Sequence, residues 1–169
     1  MTNIAFYLQQ NSSQKSLEQI VCQLVQKAYI QGNFIYIQTQ NVEQANLIDD
    51  LLWSIQDDSF IPHLNMSNME NQVNNHSLVE LTQEQQKLSK AYQVPVIINT
   101  ATSQIDIDLN PKRKEELLIN LNDEIPFSFS RFHRLAEIIS NNEEVKKVAR
   151  VRYKFYKDRG YPILTHDIN

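Results

Sequence analysis

The fold is decided by residues 3–39, which read NIAFYLQQNSSQKSLEQIVCQLVQKAYIQGNFIYIQT. Apolar runs at 3–8 and 34–37 predict two short strands, the second rich in β-branched and aromatic residues. Between them, Ser16 is placed to cap a helix whose apolar residues recur every three or four positions, and Gly32 is placed to end it. This order of strand, helix and strand predicts parallel strands joined by a right-handed crossover.

The same alternation continues beyond residue 39. Asn41 and Gln44 resemble a capping box, and apolar residues then recur at helical spacing as far as Ile55. Further apolar runs at 95–98 and 117–121 predict two more buried strands. The sequence therefore predicts a single α/β domain over residues 1–169, with a mostly parallel central sheet and helices on both faces. This is a Rossmann-like topology.

The C-terminal part is predicted to be helical. Five apolar residues form a helix stripe in this interpretation: Phe129, Phe132, Leu135, Ala136 and Ile139. A last helix begins after Asn142, with Glu143 and Glu144 in its first turn, where the helix dipole favours acids. Gly160 is placed to end this helix.

The pattern is weak between residues 64 and 94, which we interpret as an insertion. Residues 66–75 are polar, rich in asparagine and without periodicity, so they predict a mobile surface loop. Ser77 and Glu80 offer a capping box for a thin helix that would follow.

Composition argues against catalysis and against a bound cofactor. The chain has two glycines, Gly32 and Gly160, so neither a phosphate-binding loop nor a dinucleotide fingerprint is present. Cys22 has no neighbouring base, and the pair Asp106 and Asp108 is typical of solvated polar sequence. No two histidines have the spacing of helical metal ligands: His63, His76, His133 and His166. We predict no metal, no cofactor and no active site.

Charge and cysteine content indicate the compartment and the kind of partner. A single cysteine suits a reducing cytoplasm, and neither a signal segment nor an apolar run approaching about 18 residues is present, which predicts no membrane association. Residues 131–160 carry nine Lys or Arg and four Asp or Glu, a local charge of +5, so the rest of the chain carries −9. An acidic body disfavours extensive binding to nucleic acid, and the basic segment favours a short acidic peptide.

A basic stripe lies on the last predicted helix, at positions i, i+4, i+7 and i+11: Lys146, Arg150, Tyr153 and Lys157. It flanks an apolar face that is expected to pack on the sheet: Val145, Val148, Ala149 and Tyr156. Cations beside an aromatic ring suit a carboxylate-rich peptide that also carries an apolar side chain, and an arginine can hold a carboxylate through two hydrogen bonds. The alternative is a solvated basic face whose tyrosine covers the edge of the core.

The segment LLWSIQDDSFIPH, residues 51–63, contains the only tryptophan. Trp53 and Phe60 supply large contact areas, and Pro62 restricts the loop that presents them, which is typical of an interface anchor. The alternative is that both rings close the core beneath the preceding helix.

Together, residues 51–63 and the segment RVRYKFYKDRGY, residues 150–161, resemble the chi subunit of bacterial DNA polymerase III. The resemblance runs from Phe6 to Tyr161 and is broken in the middle, where residues 64–93 appear longer than in the family. It implies a small non-catalytic protein that joins the clamp-loader assembly to single-stranded DNA-binding protein, so that contact with DNA is indirect.

The resemblance also implies two binding sites. The acidic C-terminal tail of single-stranded DNA-binding protein, which ends in Asp and Phe, would bind at Lys146, Arg150 and Tyr153, with Lys154 as a supporting charge. The psi subunit of the clamp loader, and competing partners such as a helicase-like repair protein, would bind at Trp53, Phe60, Pro62 and His63.

Two other functions stay open at this point. The basic helix also suits a protein that binds single-stranded nucleic acid directly, with an affinity that falls steeply with salt. The alternating strands and helices also suit a nucleotide- or metabolite-binding enzyme, although the lack of a glycine-rich loop weighs against that class.

Overall fold

The computed structural model describes residues 1–55, 60–67, 94–100 and 116–169. The helices are α1 (Leu17–Ile30), α2 (Val42–Ser54) and α3 (Glu143–Asp158), with a short 3-10 turn at Phe129–Arg131. The strands are β1 (Asn3–Gln9), β2 (Phe34–Thr39), β3 (His63–Asn65), β4 (Val96–Thr100), β5 (Glu116–Asn120), β6 (Arg134–Ile139) and β7 (Ile163–Ile168). They form one sheet in the order β3-β4-β2-β5-β6-β1-β7, and every neighbouring pair is parallel.

The predicted caps of α1 are confirmed. Ser16 Oγ accepts a hydrogen bond from the Gln19 N–H, and the Gln19 side-chain oxygen accepts one from the Ser16 N–H, which completes a capping box. At the other end, Gly32 has a φ of +83°, a left-handed backbone conformation that residues other than glycine rarely adopt. Local chemistry therefore sets both ends of this helix.

We expect Ser16→Ala to lower the free energy of unfolding by about 1 kcal/mol, because the first turn of α1 loses its side-chain acceptor. Urea unfolding would measure the change. Ser16→Asn keeps an acceptor at the cap and is expected to stay within a few tenths of a kcal/mol of the unsubstituted protein. An equal loss in both variants would contradict a capping role.

Helices cover both faces of the sheet, as the sequence predicts. On one face, α1 and α2 contribute Val25 and Ile48 to a core cluster that also contains Ile37 of β2. On the other face, α3 places Ala149 and Tyr156 in a second core. Parallel sheets are typically buried on both faces in this way. The chain is a single α/β domain with a parallel sheet.

One predicted element is wrong. Residues 134–139 form strand β6, between β5 and β1, and not part of a helix. Five of the six residues in this strand are buried, because helices cover both of its faces, so it lacks the alternation of a half-exposed strand. Phe129 belongs to the 3-10 turn, and Phe132 is the residue that ends it. The spacing of these two residues from the apolar residues of β6 matches a helical period by coincidence.

Smaller differences between the predicted and observed structures lie at the edges of the sheet. Strands β3 and β7 were not predicted, and Met66, assigned from sequence to a mobile surface loop, is 2% exposed and joins β4 through a backbone hydrogen bond. Ser67 of that loop is also buried, whereas residues 68–75, the helix expected after Ser77 and the pair at 106 and 108 lie outside the described residues. Among the described helices, none is long and apolar enough to cross a membrane.

Candidate protein-binding surfaces

Helix α3 presents the basic stripe because its cap and its buried face fix its rotation. The Asn142 side-chain oxygen accepts hydrogen bonds from the backbone N–H groups of Glu144 and Val145. Ala149 and Tyr156 are buried against the sheet, whereas Val148, expected on the same face, is 38% exposed. Val148 lies about 100° around the helix from Ala149, which turns it toward solvent.

Three stripe residues border one recess, which we call the α3 recess. Lys146, Arg150 and Tyr153 form its rim, and its volume is about 260 Å³. Its other lining residues are Phe6, Leu8, Ile139, Ala149 and Thr165. The structure therefore places a mostly apolar floor beneath two cations and a phenol, and strands β1, β6 and β7 supply most of that floor.

Tyr153 forms a wall of this recess and is not part of the core. Its ring meets the ring of Phe6 edge-on, with centroids 5.3 Å apart, and the residue is 37% exposed. The alternative interpretation, in which Tyr153 covers the edge of the core, accounts for its contact with Phe6 but not for the open space beside it.

The cations at the rim differ in their surroundings. The Lys146 ammonium donates to Asn141 Oδ1 at 2.7 Å and lies 3.4 Å from a carboxylate oxygen of Glu143. Arg150 is exposed and makes no ion pair with the residues that the structure describes. Its guanidinium is therefore the more available partner for an incoming carboxylate. Lys154 and Lys157 are exposed on the same helix but do not line the recess.

A buried ion pair that sequence reasoning missed lies under α3. Arg152 is 4% exposed and contacts Glu137 of β6 through Nε at 3.2 Å and Nη2 at 3.1 Å. Tyr156 donates its hydroxyl to the same carboxylate at 2.8 Å, and Asn120 donates to both carboxylate oxygens. Burial raises the pKa of Glu137, and the nearby Arg152 guanidinium opposes that rise.

Two signals in the sequence point to this pair. Arg152 lies three residues after Ala149 and four before Tyr156, so it belongs to the buried face of the helix. Glu137 is the one charged residue inside the apolar run LAEII at 135–139. Charges at core positions are rarely buried unless they are paired.

The second candidate surface is an aromatic corner made by Trp53 of α2, Phe60, Pro62 and His63 of β3. The rings of Trp53 and Phe60 lie 4.9 Å apart and are 59% and 56% exposed. These rings therefore lie on the surface and do not close the core. Pro62 beside them is half-buried.

His63 supports this corner from below. Its ring lies 5.0 Å from that of Trp53, and its side chain is fully buried. Nε2 lies 2.8 Å from Asp49 Oδ1 on α2, and Nδ1 lies 2.7 Å from the Ile61 carbonyl oxygen. The imidazole thus fixes the position of the exposed rings, and little of it is available to a partner.

The two surfaces lie at opposite edges of the sheet and on opposite faces. The aromatic corner is at β3 and α2, whereas the α3 recess reaches β7. Six strand spacings of about 4.8 Å separate these edges, roughly 29 Å. Two protein partners therefore have room to bind at the same time.

The described residues offer little for catalysis. They contain no cluster of three or more His, Cys, Asp or Glu side chains arranged to hold a metal ion. Cys22 lies on the buried face of α1, and burial raises the pKa of its thiol to about 12. The thiol is therefore protonated at neutral pH and is a poor nucleophile.

Comparison with known proteins identifies the family of the chain. The family model described as DNA polymerase III chi subunit, HolC, matches residues 1–164. The chain belongs to the DNA polymerase III chi subunit family. This confirms the resemblance seen in the sequence, and it makes the role of the chain an accessory one in DNA replication.

Three bacterial proteins named DNA polymerase III subunit chi are similar to the chain over nearly its whole length. The Pseudomonas aeruginosa protein is 28% identical over 166 residues, which cover 98% of this chain and 96% of that protein. The Haemophilus influenzae protein is 27% identical, with 96% and 95% covered, and the Escherichia coli protein is 23% identical, with 98% and 97% covered. These matches therefore span the residue ranges in which both candidate surfaces lie.

Proposed function

We propose that this chain is a non-catalytic adaptor of the replisome. It joins the clamp-loader complex of DNA polymerase III, through the psi subunit, to the acidic C-terminal tail of single-stranded DNA-binding protein. Membership of the chi family supports the polymerase side of this proposal. The observation that carries the tail side is the α3 recess, an apolar hollow with Lys146, Arg150 and Tyr153 at its rim.

The chemistry of the recess suits a peptide that ends in Asp and Phe. A cavity of roughly 150 Å³ holds benzene in an engineered protein, so a recess of about 260 Å³ accommodates a phenyl ring. Carboxylates beside that ring would then meet Lys146 and Arg150. Charge-assisted hydrogen bonds of this kind are about twice as strong as neutral ones.

The aromatic corner is the proposed site for psi. Two exposed rings in mutual contact form the kind of compact aromatic anchor that dominates many interfaces. Their position is fixed before binding, because the His63 ring and its contact with Asp49 hold them from below. A preorganised anchor loses little conformational entropy on association.

Phe60→Ala is expected to weaken binding to psi by about 2 kcal/mol or more, roughly 30-fold, because the corner loses one of its two exposed rings. Co-purification with psi and a titration of the purified proteins would measure the loss. Phe127→Ala is the matched control, since Phe127 is fully exposed but lies between β5 and β6, away from the corner. A folded Phe60→Ala protein that still co-purifies with psi would remove this assignment.

Two surfaces on one domain would increase the time that the polymerase stays near template DNA coated by single-stranded DNA-binding protein. Once psi holds the chain at the clamp loader, each tail of the single-stranded DNA-binding protein meets the α3 recess at a raised effective concentration. A weak contact with the tail is then sufficient for recruitment. The chain itself needs no chemical step to perform this function.

The experiment that tests the proposal uses single-stranded DNA-binding protein in two forms, intact and lacking its last few residues. A complex of this chain with psi is expected to capture the intact form and to fail with the truncated one. Equal capture of both forms contradicts the tail site. Tight, steeply salt-dependent binding to bare single-stranded DNA would instead favour a direct nucleic-acid binder.

A further inference from the structure

A second recess, which we call the α1 recess, lies on the opposite face of the sheet. Its volume is about 460 Å³, within the range of ligand sites. It opens where the strands begin, between the C-terminal half of α1 and strand β7. Part of its floor is formed by small side chains, Ala5 of β1 and Ala136 of β6.

The α1 recess is cationic. Lys27, Arg134 and His166 line it, and none of its described lining residues is Asp or Glu. Arg134 is half-buried and makes no ion pair with the described part of the chain. Its guanidinium lies close enough to Tyr7 to oppose the rise in the tyrosine pKa that burial causes. A desolvated cation beside apolar floor residues favours an anionic ligand that has apolar parts.

Residues of strand β7 line both recesses. Thr165 lines the α3 recess, and its neighbours Leu164 and His166 line the α1 recess, because successive strand residues point to opposite faces. Within the described sheet, β7 pairs only with β1, so its other edge is open. A peptide that passes around this open edge from one recess to the other therefore crosses a single strand, β7.

We infer that an acidic peptide whose end occupies the α3 recess continues around the edge of β7 and places its upstream carboxylates against Lys27 and Arg134. This inference rests on the proposed function, because it extends the binding site for the same tail. A peptide of about ten extended residues spans roughly 33 Å, enough to pass around one edge strand and its side chains. His166 lies at the point of crossing and adds a hydrogen-bond donor.

A peptide suits the α1 recess better than a nucleotide does. Phosphates are typically held by free backbone N–H groups at helix N-termini or in glycine-rich loops. The recess lies at the C-terminal end of α1, and Gln31 there already donates its N–H to Lys27. Binding must therefore come from separate side-chain cations, which suit carboxylates spread along an extended chain.

Two peptides from the C-terminus of single-stranded DNA-binding protein test this inference, one of about four residues and one of about twelve. Calorimetry at low salt is expected to show roughly tenfold tighter binding of the longer peptide. The double variant Lys27→Gln, Arg134→Gln is expected to remove that advantage and to leave the affinity of the short peptide unchanged. His166→Ala, at an exposed position, is expected to reduce the advantage and to leave the protein folded, although its ring no longer stacks on Tyr7.

The control is Lys147→Gln, which removes an exposed lysine of α3 that lines neither recess. It should leave both affinities unchanged. This result would show that the effect of the double variant comes from a binding site and not from the loss of positive charge in general. Equal binding of the two peptides to the unsubstituted protein overturns the inference, as does a double variant that weakens both peptides equally. If neither peptide binds, the proposed function itself fails.

Discussion

Arg152→Ala is expected to lower the free energy of unfolding by about 3–5 kcal/mol, the largest stability effect that we predict. Among the described residues, the substitution leaves the buried Glu137 carboxylate with Tyr156 and Asn120 as its side-chain partners. It also removes the hydrogen bond from Arg152 Nη1 to the Asp123 carbonyl, which ties the loop after β5 to α3. Urea unfolding followed by circular dichroism would measure the change.

Arg150→Ala is the matched control for this stability measurement. Arg150 lies two residues earlier in the same helix but is exposed, so its loss should change the free energy of unfolding by no more than about 0.5 kcal/mol. Adding Glu137→Gln to Arg152→Ala is expected to recover part of the loss, because the uncompensated charge is removed. Equal stability of Arg150→Ala and Arg152→Ala would contradict a structural role for the buried pair.

The sequence predicts those parts of the fold that depend on local chemistry. Ser16, Gly32 and Asn142 were assigned correctly, because a helix cap involves only residues within a turn of each other. The order of the strands does not follow from such signals. Neither β3 nor β7 was predicted: β3 has only three residues, and β7 is largely exposed, so each edge strand gains its order from pairing with its neighbour.

Strand β6 shows why the remaining error arose. The sequence LAEII carries no alternation, because helices cover both faces of the strand, so periodicity alone does not separate it from a helix. Glu137 at its centre was the informative residue. An acid inside an apolar run requires a partner, and the helix that follows provides Arg152 on its buried face.

The rim of the α3 recess was predictable, but its floor was not. Spacing along one helix places Lys146, Arg150 and Tyr153 on a common side, and the structure brings all three to one recess. The floor residues come from three strands that are far apart in sequence, and their meeting depends on the order of the sheet. The α1 recess was missed for the same reason, since Lys27 and Arg134 belong to different elements.

Arg150→Ala is also expected to weaken binding of the tail peptide by about 1.5–3 kcal/mol, the usual effect of losing a hydrogen bond to a charged group. The guanidinium is the cation at the rim of the α3 recess with no ion pair to other described residues, so the tail carboxylate would be its main partner. Calorimetry with the peptide would measure the dissociation constant, which should rise between about 10-fold and 150-fold.

Arg150→Lys separates the two ways in which this side chain acts. It keeps the positive charge but loses the paired N–H groups that hold a carboxylate, so it should recover only part of the affinity. Arg152 cannot take over the role of Arg150, because its guanidinium is buried against Glu137 on the other side of the helix. An unchanged dissociation constant in Arg150→Ala, with the fold intact, would reject the α3 recess as the site of the tail.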